Sequence, residues 1–161
     1  MNSNNNSNVR VVADLAKGSI LGEVEVEASP ERVFQALASD EIIHWWVRPG
    51  VFNTTEWTGD VRVGGHWRTA GLFRGEPYVL EGDYLEIDSP RRLVHTYGVG
   101  APWGPTTIEY NLEPIKTGTR VTLRHSGFIS PEKLEGNRIG WETSFEALAE
   151  YLQALQHQSN G

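Results

Sequence analysis

The sequence contains no cysteine, so disulfides, thiolate zinc sites and cysteine nucleophiles are excluded. It contains no apolar run approaching the roughly 18 residues that a membrane-spanning helix needs. The polar stretch 1–8 has neither the basic region nor the apolar core of a signal peptide. Together these absences predict a cytoplasmic protein.

Positive charge is also scarce, because 14 Lys and Arg residues stand against 21 Asp and Glu residues, for a formal net charge of −7. An acidic protein repels phosphate backbones, and no basic stripe is interleaved with aromatic residues. We therefore expect no nucleic-acid partner.

The length of 161 residues predicts one domain. Residues 1–17 are predicted to form a disordered or poorly ordered tail, because their first half is almost entirely polar. Val9, Val11 and Val12 suggest a short strand segment within it. A single domain is expected over residues 18–156, and residues 157–161 are expected to be frayed. No internal repeat or long linker divides the chain.

The strongest helix pattern runs from Gly140 to Leu155. Its large apolar residues fall on one face at the α-helical angle of 100° per residue, and acidic residues fall opposite. Those apolar residues are Trp141, Phe145, Leu148, Leu152 and Leu155. Because the remaining chain supplies strands and only short helices, the partner of this face is predicted to be a sheet.

Strand patterns fill most of the remaining chain. A strand over Ile20–Ala28 precedes two short helices, at residues 29–38 and 41–47, and Ser130 opens a further short helical turn before Gly136. Six further strands are predicted between the second short helix and Ser130, at residues 54–58, 65–72, 78–87, 93–99, 106–112 and 119–125. The order β-α-α-β₆-α predicts an α+β fold in which a curved antiparallel sheet wraps around the long C-terminal helix.

Aromatic residues are abundant, with six Trp, five Tyr and five Phe. They either form a large core or line a ligand cavity. The polar tips of Tyr and His, and small residues such as Gly71, Gly82, Gly98 and Ser144, favour a cavity in part. The predicted lining comprises Trp45, Trp57, Trp67, Tyr84, His95, Tyr97, Tyr110, His125, Phe128, Trp141, Ser144 and Phe145.

The histidines do not indicate a metal site. The five of them (His44, His66, His95, His125 and His157) include no pair at the i, i+4 spacing of a helical zinc site. His95 and His125 are predicted to face inward, either as buried hydrogen-bonded residues or as polar groups of a cavity. No serine lies in a nucleophile elbow, so nucleophilic catalysis is not expected and no catalytic residue is assigned. No metal and no cofactor are expected either.

Several stretches together resemble a known family. They are 24–37 (VEVEASPERVFQAL), 44–46 (HWW), 59–68 (GDVRVGGHWR), 80–97 (LEGDYLEIDSPRRLVHTY), 118–128 (GTRVTLRHSGF) and 140–152 (GWETSFEALAEYL). The chain is similar to homologues of the activator of heat-shock-protein-90 ATPase, within the START-like (SRPBCC, birch-pollen-allergen-like) superfamily. The resemblance implies a helix-grip fold with a cavity that binds hydrophobic or aromatic small molecules.

Two other functions stay open at this point. One is a small-molecule enzyme of the cyclase or hydratase type in the same cavity, with His125, His95 or a tyrosine as acid and base. The other is a stress-response partner of a chaperone, although the extra amino-terminal domain with which such cochaperones grip the chaperone is expected to be missing. The sequence also leaves a homodimer open.

Overall fold

The computed structural model describes residues 8–102 and 104–160, with side chains through residue 155. The predicted tail residues 1–7, Gly161 and the side chain of His157 lie outside this part. The elements are β1 (Arg10–Asp14), β2 (Ser19–Val26), α1 (Pro30–Leu37), α2 (Ile42–Trp45), β3 (Val47–Arg48), β4 (Phe52–Gly59), β5 (His66–Phe73), β6 (Glu76–Asp88), β7 (Arg92–Tyr97), β8 (Thr106–Ile115), β9 (Gly118–Ser126) and α3 (Pro131–Asn160).

The nine strands of the described residues form one antiparallel sheet in the order β1-β2-β9-β8-β7-β6-β5-β4-β3. From β3 to β9 each strand pairs with the next one along the chain, as expected for strands joined by short turns. The helices α1 and α2 carry the chain from β2 to the far edge, where this meander starts. The predicted antiparallel sheet with one long C-terminal helix is therefore confirmed, and all six predicted meander strands are present with shifted ends.

Part of the predicted tail is a strand. Residues 10–14 form β1, which pairs antiparallel with β2, with Arg10 opposite Glu23 and Asp14 opposite Ser19. Val11 is the buried residue of β1, which also contacts α3. The sequence suggested only a short strand segment at Val9, Val11 and Val12, because a five-residue edge strand with one buried side chain carries little alternation.

Two irregularities bend the sheet. The register shifts between Thr54 and Glu56 in the β4–β5 pair and between Tyr84 and Glu86 in the β6–β7 pair. Such bulges increase the local twist of a strand, so the sheet curves and leaves a concave face for α3. The predicted alternation holds on that face, where Ile108, Tyr110 and Leu112 of β8 are buried.

α3 is one continuous helix, whereas the sequence predicted a short turn before Gly136 and a second helix from Gly140. The Ser130 hydroxyl accepts a hydrogen bond from the Lys133 amide at the helix start. Leu134 and Trp141 are both buried and anchor the helix on either side of the glycines. This anchoring outweighs the helix penalty of roughly 1 kcal/mol per glycine. The helix backbone also continues through residues 157–160, which were expected to be frayed.

The far half of α3 is clamped to the two short helices. Tyr151 donates a hydrogen bond to the Glu41 carboxylate (2.6 Å), and Arg32 donates two (2.6 and 3.2 Å). Burial opposes ionisation of Glu41, but these bonds prevail and lower the pKa of its carboxyl. The ring of His44 stacks on Tyr151. This clamp leaves the first half of α3 as the part that borders open space.

No helix in the described residues has the length and apolarity to cross a membrane.

Candidate functional site

The space under the first half of α3 is divided into two compartments. The smaller, the inner chamber, holds about 40 Å³ and lies between α3, α2 and the concave face of the sheet. Its walls are Leu37, Ile42, Trp45, Trp46, Trp57, Trp67, Thr69, Tyr84, His95, Tyr97, Ile108, Tyr110 and Trp141. A volume of this size admits a few waters or one small chemical group.

The larger compartment, the outer cleft, holds about 730 Å³ and is half open to solvent. It lies between the start of α3, the β3–β4 turn and the strands β5 and β6. Its walls are Trp46, Arg48, Val51, Phe52, Phe73, Arg74, Glu76, Pro77, Tyr78, Val79, Leu80, Tyr97, Ala101, Glu132, Lys133, Gly136, Asn137 and Gly140. This volume lies within the range of roughly 300–1,000 Å³ that is typical of small-molecule sites.

Trp46 and Tyr97 contact both compartments and form the partition between them. Their ring centroids are 6.2 Å apart, and the Trp46 ring also packs edge-on against Trp141 at 4.7 Å. The partition therefore consists of side chains alone, which can rotate without moving a strand.

The structure brings together eight of the twelve residues predicted to line a cavity. Trp45, Trp57, Trp67, Tyr84, His95, Tyr97, Tyr110 and Trp141 all border the inner chamber. His125, Phe128, Ser144 and Phe145 are buried but border neither compartment. That the eight bind a ligand stays a prediction.

Sequence reasoning missed Trp46, Thr69 and, apart from Tyr97, the residues of the outer cleft. Trp46 lies just after a four-residue helix, where helical periodicity no longer tells which way a side chain points. The available signal for the cleft was the pair Gly136 and Gly140, four residues apart on one helix face. A Cβ on Gly136 would meet no atom within 4 Å, and one on Gly140 would meet only Phe52, at 3.9 Å.

The small residues do not create the volume in the way the sequence suggested. A Cβ on Gly82 would lie 2.0 Å from the Thr96 carbonyl and 2.5 Å from the indole nitrogen of Trp67. The space above Gly82 is thus filled by Trp67, whose N–H donates to that same carbonyl at 3.2 Å. Gly82 allows close packing here, and the open volume comes from the curvature of the sheet.

His125 is held in one tautomer by its neighbours. The indole N–H of Trp141 donates to Nδ1 at 3.0 Å, so Nδ1 carries no proton and the hydrogen is on Nε2. Nε2 lies 2.7 Å from the Thr106 hydroxyl, which itself donates to the Tyr97 carbonyl at 3.1 Å. Burial, and then the nearby His95, lower the pKa of His125 far below its usual range. Both ring nitrogens are occupied, so His125 ties α3 to the sheet and has no nitrogen available for acid–base chemistry.

His95 is the inward histidine that borders the inner chamber. Its Nδ1–H donates to the Thr96 carbonyl at 2.9 Å, which leaves Nε2 unprotonated as an acceptor. The ring lies 5.3 Å from Trp67, 5.8 Å from Tyr84 and 6.0 Å from Tyr110, measured between centroids. Burial lowers the pKa of His95 to about 4, so the ring is neutral at pH 7.

Of the two compartments, only the outer cleft is lined by charged residues. Arg48, Arg74 and Lys133 provide positive charge, and Glu76 and Glu132 provide negative charge. The Arg74 guanidinium lies 5.5 Å from the centroid of the Phe73 ring, a cation–π contact at the rim. The cleft thus combines a polar mouth with an aromatic wall, while the charged side chains stay out of the chamber.

Replacing Ser144 with alanine should stabilise the protein by about 1 kcal/mol. The Ser144 hydroxyl is fully buried and forms no hydrogen bond with the described residues, so removing it relieves a desolvation cost. Urea unfolding of both proteins measures the difference. A loss of stability would show that the hydroxyl has a bonding partner, such as a buried water.

Comparisons with known proteins agree with this architecture. A family model described as Activator of Hsp90 ATPase homolog 1-like protein matches residues 27–153. No curated protein matches the sequence significantly.

Among solved structures, one from Chromobacterium violaceum is 26% identical, with a TM-score of 0.73 over 84% of this chain and 96% of that one. One from Rhodobacter sphaeroides is 21% identical, with a TM-score of 0.75 over 91% and 99%. An Arthrobacter aurescens protein is 24% identical, with a TM-score of 0.74 over 89% and 93%. The last two likenesses concern the fold alone.

Proposed function

The chain belongs to the Activator of Hsp90 ATPase homolog 1-like family, and on that premise we propose that it binds a hydrophobic or aromatic small molecule in the outer cleft. The observation that carries the proposal is a half-open cleft of about 730 Å³ directly under a long helix. A cleft of this volume can bury most of the surface of a molecule of two to four rings.

The composition of the walls supports an apolar occupant. Phe52, Phe73, Tyr78 and Trp46 supply aromatic surface on the sheet side and at the partition, and Val51, Pro77, Val79 and Leu80 supply aliphatic surface. Transfer of apolar surface out of water contributes roughly 25 cal/mol per Å², so contact with these walls favours binding. Phe73 and Val79 are about half exposed, 47% each, and would be covered by the occupant.

The glycines of α3 support the same proposal from the helix side. Gly136 and Gly140 both border the cleft, and neither position has a close neighbour that would fill the space of a side chain. A helix that only packed against the sheet would gain stability from larger residues at these positions. Their absence keeps the cleft open along a full helical turn.

Replacing Gly140 with leucine should weaken binding about tenfold or more without destabilising the fold. The new side chain projects into the cleft, while loss of a helical glycine adds up to about 1 kcal/mol to helix stability. The measurement is titration with an anilinonaphthalene sulfonate dye and with a fatty acid, each expected to bind the wild type with micromolar affinity. The unfolding midpoint should stay equal or rise.

The matched control is Ala154→Leu, which adds the same side chain to an exposed position on the same helix, away from the cleft. It should bind both probes as the wild type does. Equal binding by Gly140→Leu and wild type would exclude the cleft as the site. Absence of saturable binding to the wild type across a panel of apolar ligands would refute the proposed function itself.

A further inference from the structure

We propose that the protein forms a homodimer through β1, with the β1 strands of two copies paired antiparallel about Val12. The two nine-stranded sheets then join into one continuous sheet. In this pairing Arg10 of each copy lies opposite Asp14 of the other, and the two Val12 side chains meet at the centre. The inference concerns a surface away from the cleft and does not depend on the proposed ligand.

The two edges of the sheet differ in how well they are protected against pairing. The β3 edge has only two residues, and Pro49 follows them directly, so it offers little backbone to another strand. The β1 edge has five residues in unbroken register with β2 and contains no proline, lysine or bulge. Exposed edges are normally protected by such features. Of the two edges, β1 is therefore the one that can accept a further strand.

The outer backbone of β1 has no partner among the described residues. β1 is the last strand of the sheet, and in an antiparallel ladder alternate residues direct their N–H and C=O groups away from the neighbouring strand. Outside its ladder with β2, the one hydrogen bond of β1 in the described part of the chain runs from the Lys17 amide to the Asp14 carboxylate, at 3.2 Å. The outward backbone groups are thus available to a second strand.

The two faces of β1 have different surroundings. Val11 is buried on the concave face, and Gly22 opposite it lies under α3, since a Cβ on Gly22 would be 3.3 Å from the Phe145 ring. On the convex face, Val12 and Leu21 lie opposite each other and are 55% and 48% exposed. Pairing about Val12 joins these residues of the two copies into one apolar row of four side chains, which removes part of their surface from water.

The charges of β1 select a second copy of the same chain as the partner. Arg10 and Asp14 lie on the convex face, two residues before and two residues after Val12. Neither forms an ion pair with a described residue, because Glu23, which lies opposite Arg10, is instead 3.9 Å from Arg120. Antiparallel pairing about Val12 brings opposite charges together at both ends, and such cross-strand pairs stabilise a sheet.

Other pairings of two β1 strands lose these contacts. A parallel pairing sets like charges side by side. Sliding the antiparallel pair by two residues leaves only three residues of each strand paired and separates both pairs of opposite charge. Because five residues bury little surface, we expect a reversible monomer–dimer equilibrium in the micromolar range.

Sedimentation velocity of the full chain over a concentration series measures the dimer. Val12→Lys sets two like charges at the centre of the interface and should weaken self-association about tenfold or more, while its exposed position keeps the fold intact. The matched control is Leu85→Lys, which introduces the same side chain at a 50% exposed position of β6, away from the edge. It should dimerise as the wild type does.

Charge reversal tests the register of the pairing. Arg10→Asp and Asp14→Arg each set like charges at both ends of the paired strands, so each variant alone should be monomeric where the wild type is dimeric. An equimolar mixture of the two variants sets aspartate opposite arginine at both ends and should restore the dimer. A general loss of stability cannot produce this recovery, and circular dichroism checks that each variant is folded.

Three results would overturn the proposal. A wild type that stays monomeric up to millimolar concentration would leave the edge to the chain's own residues 1–7 or to a different protein. A dimer that persists in Val12→Lys and in both charge variants would have its interface elsewhere. Folded charge variants that are monomeric alone and do not associate on mixing would contradict the pairing about Val12.

Discussion

Replacing His125 with leucine should lower the free energy of unfolding by roughly 2–5 kcal/mol, because it leaves two buried partners without their hydrogen bonds. Trp141 loses the acceptor for its indole N–H, and Thr106 loses the donor to its hydroxyl oxygen. All three residues are at least 98% buried, so water cannot replace the lost bonds. Chemical denaturation followed by tryptophan fluorescence measures the loss.

A double-mutant cycle distinguishes this network from simple loss of packing. Trp141→Phe removes the indole N–H while keeping an aromatic ring, and the cycle pairs it with His125→Leu. If the hydrogen bond carries the cost, the two effects will fall short of additivity by about 1 kcal/mol or more, since either change alone breaks the same bond. Strictly additive effects would contradict the proposed link between α3 and the sheet.

Acidification should begin to destabilise the protein at a pH well above the range in which carboxylates titrate. In the unfolded chain both inward histidines have a pKa of about 6.5. In the folded chain burial lowers the pKa of His95 to about 4 and that of His125 well below its usual value. Between these values the unfolded state binds protons that the folded state does not, so stability is full above pH 6.5 and is lost as the pH falls.

The expected loss is about 1.4 kcal/mol per pH unit for each histidine, or on the order of 5 kcal/mol by pH 4.5. Denaturation curves at half-unit pH intervals measure it. His95→Phe keeps a ring in the same place and removes one titrating group, so it should reduce the slope by about half. A slope that is unchanged in this variant would contradict the prediction.

His66 provides the control, because protonation of its ring stabilises the folded protein, whereas protonation of His95 and His125 destabilises it. Its ring nitrogens lie 2.9 Å from Asp83 and 2.7 Å from Glu81, and these hydrogen bonds raise the pKa of His66. Its contribution is therefore full at low pH and is lost as the pH rises through its folded pKa. Since His66 is 47% exposed, the effect is small, and His66→Ala should leave the acid slope unchanged.

The individual elements could be predicted because their signals are local. Trp141, Phe145, Leu148 and Leu152 fall on one face at 100° per residue, and all four are buried. In β9, the alternation of Val121, Leu123 and His125 likewise predicted the buried face correctly. These patterns depend only on the geometry of a single helix or strand, so they can be recognised in a short stretch of sequence.

Several features depended on contacts between distant residues. The continuity of α3 across Gly136 follows from the burial of Leu134 and Trp141, which outweighs a local preference to break. The division into chamber and cleft follows from where Trp46 and Tyr97 meet, although Trp46 follows α2 and Tyr97 ends β7, 51 residues later in the sequence. No local pattern encodes such a meeting.

The amino-acid sequence by itself determined the family, the order of most elements and the inward faces of the strands and the long helix. Tertiary structure alone decided which inward residues border open space and which pack solidly. Trp67 and His125 illustrate the difference, since both point inward but only Trp67 borders the chamber. The physical reason is that the volume left unfilled depends on the curvature and register of nine paired strands acting together, whereas inward orientation is a property of each strand alone.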